Sequence, residues 1–161
     1  MVFNSSFGTA IQTLLFISEV SKTQKITSDV IADYLGTSPV VVRRLLKPLK
    51  AAGFITVAPR NDIAGTAMAM PLYKISLSNV FEAVEPDYQK IILEPTVRLG
   101  RQSYMGIYAN EVIAGYVDIT LTAVQDALKS ITLADALDTL LSKEAENQHN
   151  NPRELFSKTE K

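Results

Sequence analysis

Five cations occupy a stretch of sequence that holds no acid: Arg43, Arg44, Lys47, Lys50 and Arg60 all fall between Asp33 and Asp62. Cations without neighbouring carboxylates suit a polyanion, because each phosphate they neutralise releases condensed counterions. Other chemistries lack their residues. The chain contains no cysteine, which removes disulfides, thiol signalling, and cysteine-ligated zinc or iron–sulfur centres. Its single histidine, His149, lies in a polar C-terminal stretch, so no Ser–His arrangement and no His-rich metal site can be built. Asp135 and Asp138 form an i, i+3 pair that reads as solvent-facing rather than as acid–base machinery. Ala64-Gly65-Thr66 is too short to cradle a phosphate. The residues predict no enzyme, no cofactor and no metal.

The cations need elements to hold them. At 161 residues, 47% hydrophobic and 20% charged, the chain is long enough to bury a sizeable core and too apolar to stay unfolded. Its formal net charge is −1, but the charge is unevenly placed. Residues 1–85 hold eight bases and six acids, and the remainder eight bases and eleven acids. The first 21 residues show no basic residue ahead of their apolar stretch, and no apolar run reaches a membrane span. The expected location is the cytoplasm, with no membrane partner.

Apolar spacing predicts a helix over 4–21, with Phe7, Ile11, Leu14, Leu15 and Ile17 on its broad face. A short helix follows Thr27 or Ser28, with Val30, Ile31 and Tyr34 or Leu35 inward, and Gly36 closes it. Ser38-Pro39 opens the next helix as a capping hydroxyl followed by proline at the first helical position. Val41, Val42, Leu45, Leu46 and Leu49 form its stripe, Pro48 bends or shortens its end, and Gly53 stops it. Helices separated by Gly36-Thr37-Ser38 have helix-turn-helix spacing. Residues 54–58 and 66–75 read as strands around a turn-rich loop, a β-hairpin wing. The fold class is therefore mainly α with a small β wing (α+β).

A helix over 78–84 ends this unit. Four regions result: a winged helix-turn-helix over 1–85, an irregular connector over 86–109, helices over 110–142 and a polar, loose tail over 143–161. The helix over 110–131 carries Ile113, Val117, Leu121, Val124 and Leu128 at three- and four-residue steps. Val112, Tyr116, Ile119, Ala123 and Ala127 widen that stripe beyond what one small domain covers, which calls for a partner. Thr132-Leu-Ala-Asp135 has the form of a capping box for the last helix.

The stretches 30–36 (Val-Ile-Ala-Asp-Tyr-Leu-Gly), 38–46 (Ser-Pro-Val-Val-Val-Arg-Arg-Leu-Leu) and 49–55 (Leu-Lys-Ala-Ala-Gly-Phe-Ile) resemble winged-helix regulators related to IscR, NsrR and CymR. Residues 75–84 and 130–135 continue the resemblance, which covers most of the chain. It implies a homodimeric transcription regulator, a repressor, acting on double-stranded DNA with a roughly palindromic operator. The DNA-facing set would be Thr27, Ser28, Ser38, Val40, Val41, Arg43, Arg44, Lys47, Lys50 and, on the wing, Arg60. The dimer interface would be Ile113, Val117, Leu121, Val124 and Leu128. Arg98, Arg101, Tyr104 and Tyr108 are candidates for a small-molecule effector pocket, or pack helix against helix. Two departures stand out. Ala64-Gly65-Thr66 replaces a Gly-Gly-aromatic wing, and the cysteines expected between 86 and 108 are missing, so cluster or thiol sensing does not carry over. The alternative is a winged-helix dimer that binds protein instead of DNA.

Overall fold

The computed structural model describes residues 5–57, 65–86 and 104–150. Helix α1 (Ser5–Val20) is the central post: Ala10, Leu14 and Ile17 are fully buried, with Phe7 and Leu15 beside them. Two hydroxyls are buried along it at little cost, because Thr13 Oγ1 donates to the Thr9 carbonyl at 2.7 Å and Ser18 Oγ to the Leu15 carbonyl at 2.7 Å. Phe7 meets Phe81 edge to face, ring centroids 5.2 Å apart.

Helix α2 (Ser28–Leu35) is capped by Thr27, whose Oγ1 accepts from the Val30 amide at 3.3 Å. It ends on Gly36 at φ +63°, and the Thr37 amide then donates back to the Ala32 carbonyl at 2.9 Å. A side chain at Gly36 would strain that left-handed turn. Ile31 and Ala32 are buried, and of Tyr34 and Leu35 it is Leu35 that packs against the core, whereas Tyr34 is exposed and stacks on Phe16 at 4.1 Å.

Helix α3 (Pro39–Ala51) starts as the sequence predicts, with Ser38 as N-cap and Pro39 in the first turn. Pro48 does not end it. The proline lacks only its own donor, and the following groups close the helix regularly: Ala52 donates to the Pro48 carbonyl at 2.9 Å and Phe54 to Leu49 at 3.1 Å. Strands β1 (Ile55–Val57) and β2 (Thr66–Met68) pair antiparallel, Ile55 opposite Met68 and Val57 opposite Thr66. The return strand is shorter than the expected 66–75. Pro71 has no amide for a ladder, and a 3-10 turn over Leu72–Lys74 leads instead to buried Ile75.

Helix α4 (Leu77–Val84) begins with a full capping box between Ser76 and Asn79. Helix α5 (Tyr104–Lys129) and helix α6 (Leu133–Asn150) complete the described residues. Their junction is locked to the front of α4. Ser76 and Thr132 form an antiparallel bridge, with Leu77 donating to the Ile131 carbonyl at 2.8 Å and Leu133 to Ile75 at 2.9 Å. Thr132 and Asp135 form the expected second capping box, and hydrogen bonds from the Thr132 hydroxyl and amide hold the Asp135 carboxyl below the usual carboxylate range.

Two boundaries differ from expectation. Helix α5 starts inside the stretch read as connector, because one glycine, Gly106, costs a helix only about 1 kcal/mol. Helix α6 runs on through 143–150, where Lys, Glu, Ala and Gln favour helix although the stretch as a whole is polar. The tail that begins at 143 in the sequence reading is therefore helical up to Asn150. The rest of it, 151–161, lies outside the described residues.

The largest correction concerns the helix 110–131 stripe. Leu128 is buried in the core of its own chain, and Val124 packs against that core. Leu121 and Val117, one and two turns before Val124, are half-buried. The large apolar side chains left exposed are Tyr108, Val112, Ile113, Tyr116 and Ile119. A four-four-three step through 108, 112, 116 and 119 keeps those residues on one helix face. So the expected interface set divides: Ile113 stays outward, whereas Leu128 has no surface left for a partner.

Candidate nucleic-acid interface

Helix α3 has two faces with different tasks. Val42 and Leu49 are fully buried, and Leu45 and Leu46 lie half-buried against the same core. That anchoring turns Val40, Val41, Arg43, Arg44, Lys47 and Lys50 outward, all exposed. No acid lies anywhere on the helix. Among the described residues none of the four cations has an ion-pair partner; the pairs that occur there, Lys22–Glu19 and Lys129–Asp126, lie elsewhere. Their charge is left for something outside the chain.

The first turn of α3 is open to a ligand. Ser38 Oγ accepts from the Val41 amide at 3.4 Å, fixing where the helix starts. Val40 is 62% exposed and Val41 48%, side chains that gain nothing from water. Together they present methyl groups of the kind that meet a thymine methyl in a major groove. Thr27 and Ser28 stand at the head of α2, half-buried, with the Thr27 hydroxyl committed to its cap.

The hairpin lies against the flank of α3 and leaves a groove of about 320 Å³ between them. Arg43, Lys47 and Lys50 line one side, Thr56 and Thr66 the other, and Leu46, Ile55 and Val57 give it an apolar lining. Sequence reasoning missed Thr56, Val57 and Thr66. Strand alternation marks Thr56 and Val57 as opposite-facing neighbours, but only the pairing register brings Thr66 beside them.

The base of the hairpin is fixed by a close approach. Gly65 lies against the link between α1 and α2 so tightly that a Cβ there would sit 2.6 Å from the Ile26 carbonyl oxygen. Next to it, the Thr66 amide donates to that same carbonyl at 2.9 Å. Arg60 lies outside the described residues, as do Arg98 and Arg101. Tyr104 belongs to α5 but its side chain is outside them too, and Tyr108 is exposed on the helix surface. Of the four residues of the expected effector pocket, only the Tyr108 side chain lies among the described residues.

Among the described residues no group of three or more His, Asp or Glu side chains is placed to hold a metal ion. No helix there is long and apolar enough to cross a membrane.

Known proteins share this arrangement. Over 84 residues the chain is 38% identical to YwnA of Bacillus subtilis, named as a helix-turn-helix-type transcriptional regulator, a match covering 52% of this chain and 59% of that one. The chain thus matches little more than half the length of this relative. A crystal structure titled as a DNA-binding protein superposes with a TM-score of 0.63 at 27% identity, covering 83% of this chain and 99% of the other. IscR of T. potens has the same fold, with a TM-score of 0.63 at 17% identity over 87% of this chain and 88% of its own. The family and these relatives are regulators, not enzymes. A model described as "Rrf2: Iron-dependent Transcriptional regulator" matches residues 3–139, and the chain belongs to that family.

Proposed function

We propose that this protein regulates transcription by binding double-stranded DNA as a homodimer, with α3 in the major groove and the hairpin over the adjacent backbone. The observation that carries this reading is the outward face of α3: unpaired cations and exposed valines on a helix without an acid. Its N-terminal residues, Ser38, Val40, Val41, Arg43 and Arg44, meet base edges in this docking, and Lys47 and Lys50 meet phosphates. Arg60 serves the wing contact.

The second copy covers the α5 face through Tyr108, Val112, Tyr116 and Ile119, with Ile113 at its edge. Two reading helices related by a twofold axis select a roughly palindromic operator with half-sites one or two helical turns apart. Occupying that operator represses the adjacent gene, in the cytoplasm where the DNA is.

Iron dependence stands in the family's description, and it needs donors. A chain without cysteine has no thiolate to ligate an iron–sulfur cluster, so the residues present do not fit one. The switch that releases DNA is then of another kind.

The test is selection of bound fragments from random DNA, followed by titration of the selected site at several salt concentrations. The reading expects one recurring palindrome and a log–log salt slope of several units, about −0.9 per phosphate contacted. Failure to retain any duplex at low salt, with a protein ligand captured instead, would favour the interaction-module alternative.

A further inference from the structure

The groove between α3 and the hairpin has a property that DNA binding does not need. Phosphates require cations and donors; they have no use for an apolar lining. Here Arg43, Lys47 and Lys50 border a cleft lined by Leu46, Ile55 and Val57, with Val57 61% exposed. Neither hairpin residue opposite, Thr56 nor Thr66, adds a negative charge. Concave space with convergent polar groups above apolar side chains is how small-molecule sites are built, and about 320 Å³ stands at the lower end of their usual size.

We propose that this groove binds a small amphipathic anion, a carboxylate on an apolar acyl or aryl body, and that its occupant excludes DNA. The charge complementarity is direct: three cations, no acid, and among the described residues no internal partner for any of them. A carboxylate held by Arg43 and Lys47 takes up the side chains that DNA phosphates and bases would use. The apolar body lies along Leu46, Ile55 and Val57, so that exposed Val57 gains cover. Because the groove shares the flank of α3, the inference deepens the DNA-binding reading and supplies the switch that a cysteine-free member lacks.

The experiment titrates the full chain with octanoate by calorimetry, beside acetate (charge without a body), octan-1-ol (body without charge) and 4-ethylbenzoate (an aryl body). The expected result is saturable binding of octanoate or 4-ethylbenzoate about tenfold tighter than acetate and octanol, the preferred body telling acyl from aryl. Val57→Asn, at an exposed position, should weaken it about fivefold, and Lys47→Gln likewise, with thermal midpoints unchanged. The bound anion should weaken DNA binding in proportion to its occupancy. Equal binding of acetate or octanol overturns the proposal, and so does binding indifferent to both substitutions, which would place it on another surface. So does the absence of saturable binding. The DNA titration run without anion separates the two readings: DNA binding without anion binding removes only the groove ligand, and the converse removes only the operator.

Discussion

At the residue scale, the cations of α3 divide by position along the helix. Arg43 is one turn from the Ser38 cap, where a helix entering the major groove meets base edges; Lys50 lies at the far end. A guanidinium paired to a guanine edge contributes sequence preference, whereas an ammonium near a phosphate contributes affinity alone. Arg43→Ala or Arg44→Ala is therefore expected to cost about 1–3 kcal/mol against the selected operator and to relax preference at one base pair. Lys50→Ala should weaken all sequences alike and flatten the salt slope by about one unit. Mobility-shift titrations on matched and mutated sites at two salt concentrations read both effects. If neither arginine substitution nor the pair alters affinity, the reading face lies elsewhere. These residues were legible from charge alone, because an acid-free run needs no fold to be seen. Thr66 and Val57 were not, since their meeting depends on a strand register that spacing along the chain does not encode.

Elements were most legible where their ends are local chemistry. Ser38-Pro39, Thr27 and the Thr132–Asp135 box each announce a helix start within four residues, and each is where the sequence put it. Ends governed by distant packing were not: α5 starts early and α6 ends late, because neither Gly106 nor polar residues stop a helix unaided. Nor did local pattern show that Gly65 is held by backbone proximity to Ile26. Gly65→Ala must push the two segments apart, as its Cβ would meet backbone, not a yielding side chain. We expect it to strain the hairpin base, lowering the thermal midpoint and weakening DNA binding more than an Ala substitution at exposed Thr56, with circular dichroism and mobility shift as readouts. At the α5–α6 junction, Asp135 is more acidic in the folded chain than in the unfolded one, because Thr132 donates two hydrogen bonds to its carboxylate. A depressed folded pKa contributes stability above the ordinary carboxylate range and loses it as pH falls through the folded value. Asp135→Asn should thus lower the melting point at neutral pH and lose the acid-side part of the decline that the parent shows. A parallel pH profile in both proteins would remove Asp135 as its source.

At the scale of the whole molecule, the two faces of α5 explain why one helix carries so much apolar surface. Its C-terminal half belongs to the chain's own core through Val124, Leu128 and the bridge at Ser76 and Thr132. Its exposed stripe through Val112, Tyr116 and Ile119 has no cover within the described residues. A stripe of that kind is stable in water when a copy of itself lies across it, and a twofold contact serves both chains with the same residues. The division makes opposite predictions for neighbouring positions. Tyr116→Asp or Ile119→Asp should put a charge into the face proposed for the second copy but leave the winged helix intact. Sedimentation equilibrium should show monomers with an unchanged far-ultraviolet spectrum, and operator affinity should drop because two half-sites are no longer linked. Leu128→Ala instead opens a cavity inside one chain and is expected to cost about 2–5 kcal/mol of unfolding free energy while the assembly stays dimeric. Were Leu128→Ala to dissociate the protein, and Tyr116→Asp merely to lower its melting point, the stripe nearest Leu128 would be the interface and the exposed one a surface of another kind.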